Sequence, residues 1–359
     1  MTNTKKIRVA VAGYGFGRLF AQLFQAHPDV LQVGICETNP EKIAAAKADG
    51  FERIYSDYRE TLSGDDYDAV YLGLPLEFHA KPTLDVLNAG KHCACAVPMS
   101  FTLEELQAIV EAERRSGKNY MMMETMTYTK EFLFIQDLHR QGEMGHLQFL
   151  RGIHSQSMEG WPGAWAGLPP MWYATHAVSP LLALAQSTAR QVTCLGSGTM
   201  REELTLAHNN PYPIETMLFT MDDSPVVAEV TRTLFETAPL GGESFEVYGS
   251  KASFSARTGE LKRIGELPHG RGLQIDCSTP EFSRRLDLLP KEFQKFKSEG
   301  HIDAAMHLVH EFVRSIVEGR KSAIDAVTAA NWCAVGICGH ASAMSRGKPV
   351  DVPKFTAIS

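Results

Sequence analysis

The stretch that most constrains this chain is its opening strand and turn, Ile7 to Arg18, reading IRVAVAGYGFGR. Ile7, Val9, Ala10, Val11 and Ala12 form a nearly continuous apolar run without alternation, which is how a strand buried on both faces of a parallel sheet reads. Gly13, Gly15 and Gly17 then open a helix expected from Phe16 to about Ala26, with Leu19, Phe20, Leu23 and Phe24 at helical spacing. A strand, a glycine turn and a helix N-terminus together make a pyrophosphate site, because backbone N–H groups and the helix dipole both face the anion. The dinucleotide fingerprint places its third glycine at position 18. Here that residue is Arg18, and the glycine comes one residue early, so a tight turn without a ligand is the competing reading.

Glu37 tips the balance. It ends the apolar run Leu31 to Cys36, 19 residues beyond Arg18, where a dinucleotide site wants a carboxylate for the adenosine ribose. Thr38, Asn39 and Pro40 follow, with no arginine for a 2′-phosphate, so the expected cofactor is NAD rather than NADP.

At 359 residues, 44% hydrophobic and 21% charged, the chain is long enough for two domains with separate cores. A net charge of −7 leaves no basic footprint for nucleic acid. The seven cysteines lack CxxC pairing, Cys93 and Cys95 fall on one face of a strand, and buried thiols in a reducing cytoplasm are expected. Neither a signal peptide nor a membrane span is expected from the N-terminal residues and the length of the apolar runs. Neither a nucleic-acid nor a membrane partner is expected.

Strand and helix patterns alternate through the first third: Ala69 to Leu74 and His92 to Val97 as strands, Phe78 to Asn88 and Thr102 to Ser116 as helices, Tyr120 to Met123 as a strand. Thr102 and Glu105 read as a capping box. The fold class is α/β, an N-terminal Rossmann doubly wound parallel sheet over residues 1–125. Beyond Gly145, short strands follow one another without helices: Gln148 to Ser155, Gln191 to Leu195, Glu215 to Met221, Val226 to Thr233, Phe245 to Tyr248 and Ala252 to Ser255. They predict a C-terminal α+β domain on a largely antiparallel open sheet, over 126–345. The final helices, Ala304 to Glu318 and Ile324 to Met344, can pack across both domains, and 346–359 reads as a tail.

The stretch Met158 to Tyr173, MEGWPGAWAGLPPMWY, is too rich in proline and glycine for one helix or strand, and loops this long are often functional. Trp161, Trp165 and Trp172 offer flat faces for the C–H side of a sugar ring; a loop merely stapled down by its tryptophans is the alternative. His176 follows, at the head of the apolar run Ala177 to Ala185.

Gly13 to Gly17, Glu37, LPLEFH, NAGKHCACAVP, QGEMG and the final helices together resemble the glucose–fructose oxidoreductase/inositol dehydrogenase family over nearly the whole chain. The resemblance implies NAD(P) binding and a C-terminal open sheet often used for oligomerisation, hence a homodimer or homotetramer. It adds Leu74, Pro75, His79, Val97 and Pro98 to the cofactor site, beside Gly13, Gly15, Phe16, Gly17, Arg18 and Glu37. The dehydrogenases of the family carry Glu-Lys-Pro where this chain has Ala96, Val97 and Pro98. They also carry a second aspartate where it has Pro180; of their lysine and histidine, only the histidine, His176, is kept.

YMMMETMTY (Tyr120 to Tyr128) and YATHAVSP (Tyr173 to Pro180) are similar to segments of the NAD-dependent glycosidases of glycoside hydrolase family 109, and more so to the family 188 sulfoquinovosidases. The resemblance implies active-site roles for Tyr128, Tyr173 and His176. It implies a redox-neutral hydrolysis: transient oxidation at carbon 3 of a sugar, elimination, water addition and re-reduction. His176 is the natural base, its ordinary pKa lying near 6.5. Glu124, His154 and His301 join the three tryptophans as substrate-binding candidates. His301, His307 and His310 lack a second ligand cluster, so no metal is expected. The expected partner is a small-molecule sugar or glycoside. Net oxidation of a sugar or polyol, and non-catalytic NAD(H) sensing, are the alternatives.

Overall fold

The computed structural model describes residues 6–161, 163–265, 274–297 and 300–356. In chain order the elements are β1 (Ile7–Ala12), α1 (Gly17–Ala26), β2 (Val30–Cys36), α2 (Pro40–Ala48), β3 (Ile54–Tyr55), β4 (Ala69–Leu72), α3 (Ala80–Asn88), β5 (His92–Cys95), α4 (Leu103–Ser116) and β6 (Tyr120–Met122). They continue with α5 (Lys130–Arg140), β7 (Leu147–Ser155), α6 (Thr175–Ala185), β8 (Ala189–Ser197), α7 (Glu202–His208), β9 (Ile214–Met221), β10 (Val227–Thr233) and β11 (Gly242–Gly249). The last are β12 (Ala252–Ser255), β13 (Glu260–Gly265), β14 (Gln274–Ser278), α8 (Ile302–Glu318), α9 (Ala326–Met344) and β15 (Val350–Asp351). No helix among the described residues is long and apolar enough to cross a membrane.

The chain divides into two compact units. The first holds residues 1–128, 285–330 and 355–359; the second holds 129–284 and 331–354. This differs from the contiguous second domain that the sequence suggests over 126–345. The reason lies in α8, whose buried stripe Ala305, Leu308, Val309, Phe312 and Ile316 belongs to the core of the first unit, with Phe312 edge-on to Phe24 of α1.

The first unit is a six-stranded sheet in the order β3-β2-β1-β4-β5-β6, every pairing parallel. The order reverses between β1 and β4, and ligands in such sheets bind beyond the strand ends at that point. Five of the six residues of β1 are buried, as a strand covered on both faces must be. The exception, Arg8, is paired with Asp68 at 3.1 Å. At α4, Thr102 accepts from the Glu105 N–H as expected of a capping box, but the Glu105 carboxylate takes the Ser100 hydroxyl instead of closing the box.

The second unit is a nine-stranded sheet in the order β14-β13-β12-β11-β7-β10-β9-β8-β15. All its pairings are antiparallel except β10 with β7. Strand β9 alternates cleanly: Glu215, Met217, Phe219 and Met221 are buried, while Thr216, Leu218 and Thr220 face outward. One face is therefore packed and the other open. The tail contributes β15 as an edge strand on β8, pairing Val350 with Val192.

Helix α6 lies on the packed face, and Gly152 lets it come close. A Cβ at Gly152 would stand 2.2 Å from the Ala177 carbonyl oxygen. His154, two residues along the same face of β7, thereby meets His176, the neighbour of Ala177.

Candidate functional site

In the first unit the glycine turn has the shape a dinucleotide needs. Gly13 has φ 88°, in the left-handed region, and a Cβ there would sit 2.5 Å from the Gly73 carbonyl oxygen. The turns after β1 and β4 thus touch at the switch point. Gly17 performs the packing role of the displaced third glycine, since its Cβ would come within 3.2 Å of Val11 and 3.5 Å of Tyr71. The helix begins at Gly17, with Phe16 at its cap.

Glu37 is the organiser of the next turn. Its Oε2 accepts from the Tyr14 N–H at 2.8 Å, and its Oε1 from the N–H groups of Thr38 and Asn39 at 2.9 and 3.0 Å. Burial works to raise the pKa of this carboxyl, but the N–H groups of Asn39, Tyr14 and Thr38 outweigh it and hold the group below its ordinary value. A carboxylate has about four acceptor positions, so this pinned anion keeps one to spare that a ribose hydroxyl would take. These features fit NAD. The Arg18 guanidinium clamps Asp49 at 2.7 and 2.8 Å, with the Tyr14 hydroxyl on the same carboxylate.

His79 is buried and bridges two loops. Nδ1 lies 2.6 Å from the Pro98 carbonyl and Nε2 3.0 Å from that of Leu74. A neutral imidazole has one N–H and cannot satisfy two carbonyls. Burial alone would lower its pKa; neighbouring Cys95 and the two carbonyls outweigh that and push it up to about 9. His79 is therefore a buried cation that ties the turn after β4 to the Val97–Pro98 peptide, which is cis. Leu74, Pro75, Val97 and Pro98 are held in place by it.

Beside the glycine turn opens a pocket of about 460 Å³, lined by Phe16, Leu19, Phe20, Thr125, His301 and Ile302 among others. The Thr125 hydroxyl on its wall is buried with no hydrogen-bond partner among the described residues, an orphaned donor that a ligand would satisfy. His301 stands at the head of α8. Glu124, fully buried, accepts from the Met126 N–H and so shapes the 3₁₀ turn Thr125–Tyr128. Tyr128 stacks on His307, ring centroids 6.1 Å apart. Burial, then Glu311, raise its hydroxyl well above the usual phenol range, against Arg320. It is a hydrogen-bond donor, not a ready base.

The second unit assembles a different cluster. The Tyr173 hydroxyl lies 3.3 Å from His176 Nε2. His154 is 5.2 Å from His176, ring to ring and edge-on, and the two are 3% and 6% exposed. Glu243 completes it: Oε1 is 3.4 Å from His154 Nε2 and 4.0 Å from His176 Nε2. Behind them Arg232, fully buried, donates to the carbonyls of Tyr173, His154 and Thr233 and to the Gln156 side chain. Burial draws its pKa down to about 9, opposed by Tyr173 and Glu243.

The aromatic loop divides in two. Trp165 is edge-on to Tyr173 at 5.4 Å, and Trp161, 44% exposed, is edge-on to Trp165. Both stand on the side of the histidines. Trp172 instead packs against His208 and His340. There Glu215, buried on β9, takes the Met171 N–H at 2.9 Å and His340 at 2.7 Å. Trp172 thus staples the loop, and Pro162 lies outside the described residues.

Glu243, Arg232 and Glu215 were not singled out in the sequence. Register explains their importance: Glu243 pairs with His154, His154 with Arg232, and Arg232 with Glu215, one row across β11, β7, β10 and β9. Each is a polar residue at an inward position of an alternating strand, the signal that marks them.

Residues 7–124 match the model of the oxidoreductase family, NAD-binding Rossmann fold. Ninety residues are 41% identical to a glycosyl hydrolase family 109 protein of a Shewanella species and, equally, to an alpha-N-acetylgalactosaminidase of Shewanella oneidensis. The match covers 25% of this chain, and the chain spans about a fifth of the length of these relatives. Among solved structures, levoglucosan dehydrogenase in complex with NADH and L-sorbose is similar at 20% identity, TM-score 0.80, over 98% of this chain and 100% of that one. Myo-inositol 2-dehydrogenase from Lactobacillus plantarum is similar at 19% identity, TM-score 0.75, over 97% and 100%. At such identities these structures show the fold.

Proposed function

From the premise that residues 7–124 are an NAD-binding Rossmann domain of the Gfo/Idh/MocA oxidoreductase family, we propose that this chain is an NAD-dependent sugar-active enzyme whose net reaction is hydrolysis of a glycoside. The observation that carries the reading is the Tyr173–His176 pair, a half-buried hydroxyl 3.3 Å from a buried imidazole, in the segment that resembles the family 109 and 188 glycosidases. Val97 and Pro180, standing where the related dehydrogenases carry a lysine and an aspartate, support it against simple oxidation.

NAD⁺, when bound, supplies a reversible hydride acceptor for carbon 3 of the sugar, which activates carbon 2 for elimination and lets the cycle close without net redox change. The turn Gly13 to Gly17 would hold the pyrophosphate and Glu37 the adenosine ribose. His176 Nε2, hydrogen-bonded to the Tyr173 hydroxyl, takes the proton of the substrate hydroxyl as general base. Tyr128, kept as a phenol by its surroundings, donates to oxygen as negative charge develops. Trp161 and Trp165 supply faces for the sugar ring.

The substrate class is a glycoside, with sulfoquinovosides among the candidates. Arg18 and Arg151, two cations a sulfonate would seek, are paired with Asp49 and Glu229. The outward face of β9 and β7, with Leu218 and Phe149, serves a homodimer or homotetramer, and free cysteines, buried except for the exposed Cys277, suit the cytoplasm.

The test is cleavage of aryl and alkyl glycosides with catalytic NAD⁺. Hydrolysis proceeds without stoichiometric NADH, deuterium from heavy water enters carbon 2 of the product, and His176→Ala lowers the rate by about two to four decades. Stoichiometric NADH with the glycosidic bond intact returns the chain to the sugar dehydrogenases, whose fold it shares.

A further inference from the structure

We infer that Glu243 is the positioning carboxylate of the second unit's cluster: it holds one proton's worth of positive charge on the His154–His176 pair and so sets when His176 can act as a base. This rests on the reading of His176 as the group that moves a substrate proton, and adds the residue that controls it.

The groups facing the pair come from every element packed on it. They are His154 on β7, Arg232 on β10, Glu243 on β11, Tyr173 in the turn Pro170–Tyr173 and His176 itself on α6. Arg232 is a fixed buried cation whose carbon Cζ stands 5.1 Å over the Tyr173 ring. Alone, it would drive both imidazoles to the neutral form. Glu215, next in the row, is spent on Met171 and His340. Glu243 Oε1 is the carboxylate oxygen that reaches both Nε2 atoms, at 3.4 and 4.0 Å.

Two buried imidazolium ions 5.2 Å apart would repel, and one carboxylate compensates one of them. The pair therefore titrates as a unit. When His176 Nε2 receives the proton of a substrate hydroxyl, the O–H bond breaks, an N–H bond forms, and the oxygen keeps the electron pair. Glu243 stays a carboxylate throughout and stabilises the imidazolium so formed. The proton later returns from Nε2 to the sugar oxygen. With a side chain 15% exposed, Glu243 sits at the edge of the cluster.

The experiment is a titration of the imidazole ¹⁵N resonances in the full-length protein, wild type against Glu243→Gln and Glu243→Asp, with His176→Ala for assignment. Glu243→Gln keeps the volume and removes the charge. The titration midpoint of the pair should fall by about one unit or more, and Glu243→Asp, its carboxylate withdrawn by one methylene, should fall by less. The acid limb of kcat/KM should move down with it and kcat should drop about 10–100-fold, while KM and NAD affinity hold within about twofold. Midpoints unmoved in the folded Gln variant overturn the inference; if that variant fails to fold, unmoved midpoints in the Asp variant do so. Shifted midpoints in a protein that cleaves no glycoside would leave Glu243's role standing and sink the hydrolase reading.

Discussion

Glu243 and His154 are direct cross-strand partners on β11 and β7, carboxylate oxygen to imidazole nitrogen 3.4 Å. The pairing is a consequence of register. A slip of one residue along β11 would send Glu243 to the open face and expose Phe245 and Val247 with it. The apolar neighbours on the strand therefore hold the chemistry in place. Gly152 does the same for α6, and Arg232 ties the backbones of His154 and Tyr173 to each other.

The cofactor side is tested at Glu37. Glu37→Ala removes the acceptor of three backbone N–H groups as well as the expected ribose ligand. Losing a hydrogen bond to a charged group costs about 1.5–3 kcal/mol. NAD affinity should fall by about one to two decades and the preference over NADP should relax. Titrations of both cofactors by calorimetry check it; unchanged constants would leave Glu37 a turn residue only.

The tryptophans should separate by role. Trp165→Ala, and to a lesser degree Trp161→Ala, should lower kcat/KM with NAD affinity nearly intact. Trp172→Ala should instead lower stability by about 1–3 kcal/mol, because its ring fills the space between His208 and His340. Melting temperatures read beside kinetics distinguish the two. A uniform loss of stability in all three variants would make the whole loop structural.

His79 predicts an alkaline window. Its folded pKa is raised to about 9 from an ordinary 6.5, so the folded state binds more protons between these values than the unfolded chain. Its contribution to stability is fully present below about pH 6.5 and is lost as pH rises through about 9. His79→Leu removes that pH dependence and leaves two carbonyls without donors, at about 1–3 kcal/mol each. Urea midpoints at pH 6 and pH 9 give the answer. An equal slope in wild type and variant would show that His79 is neutral in the fold.

The nucleotide-binding half was legible because its signals are local. An unbroken apolar strand, a glycine turn and a carboxylate at the end of the next strand are all set by neighbours a few residues apart. Tyr173 and His176 were legible for the same reason, lying three residues apart at the head of a helix. Gly17, one residue off the fingerprint, still makes the close approach to Val11 and Tyr71 that a third glycine is there to allow.

Sequence alone thus determined the doubly wound sheet, the cofactor turn with Glu37, the change to an open second sheet, and the aromatic loop leading to His176. Tertiary structure decided what surrounds that histidine. Arg232 and His154 are 78 residues apart in the chain, and the row from Glu243 to Glu215 exists only once four strands align. It also returned α8 to the first unit and set Trp165 against Tyr173 but Trp172 against His208 and His340. Local pattern fixes which face of a strand is buried; which buried residues meet depends on register and on close approaches such as Gly152, and those are set by long-range pairing.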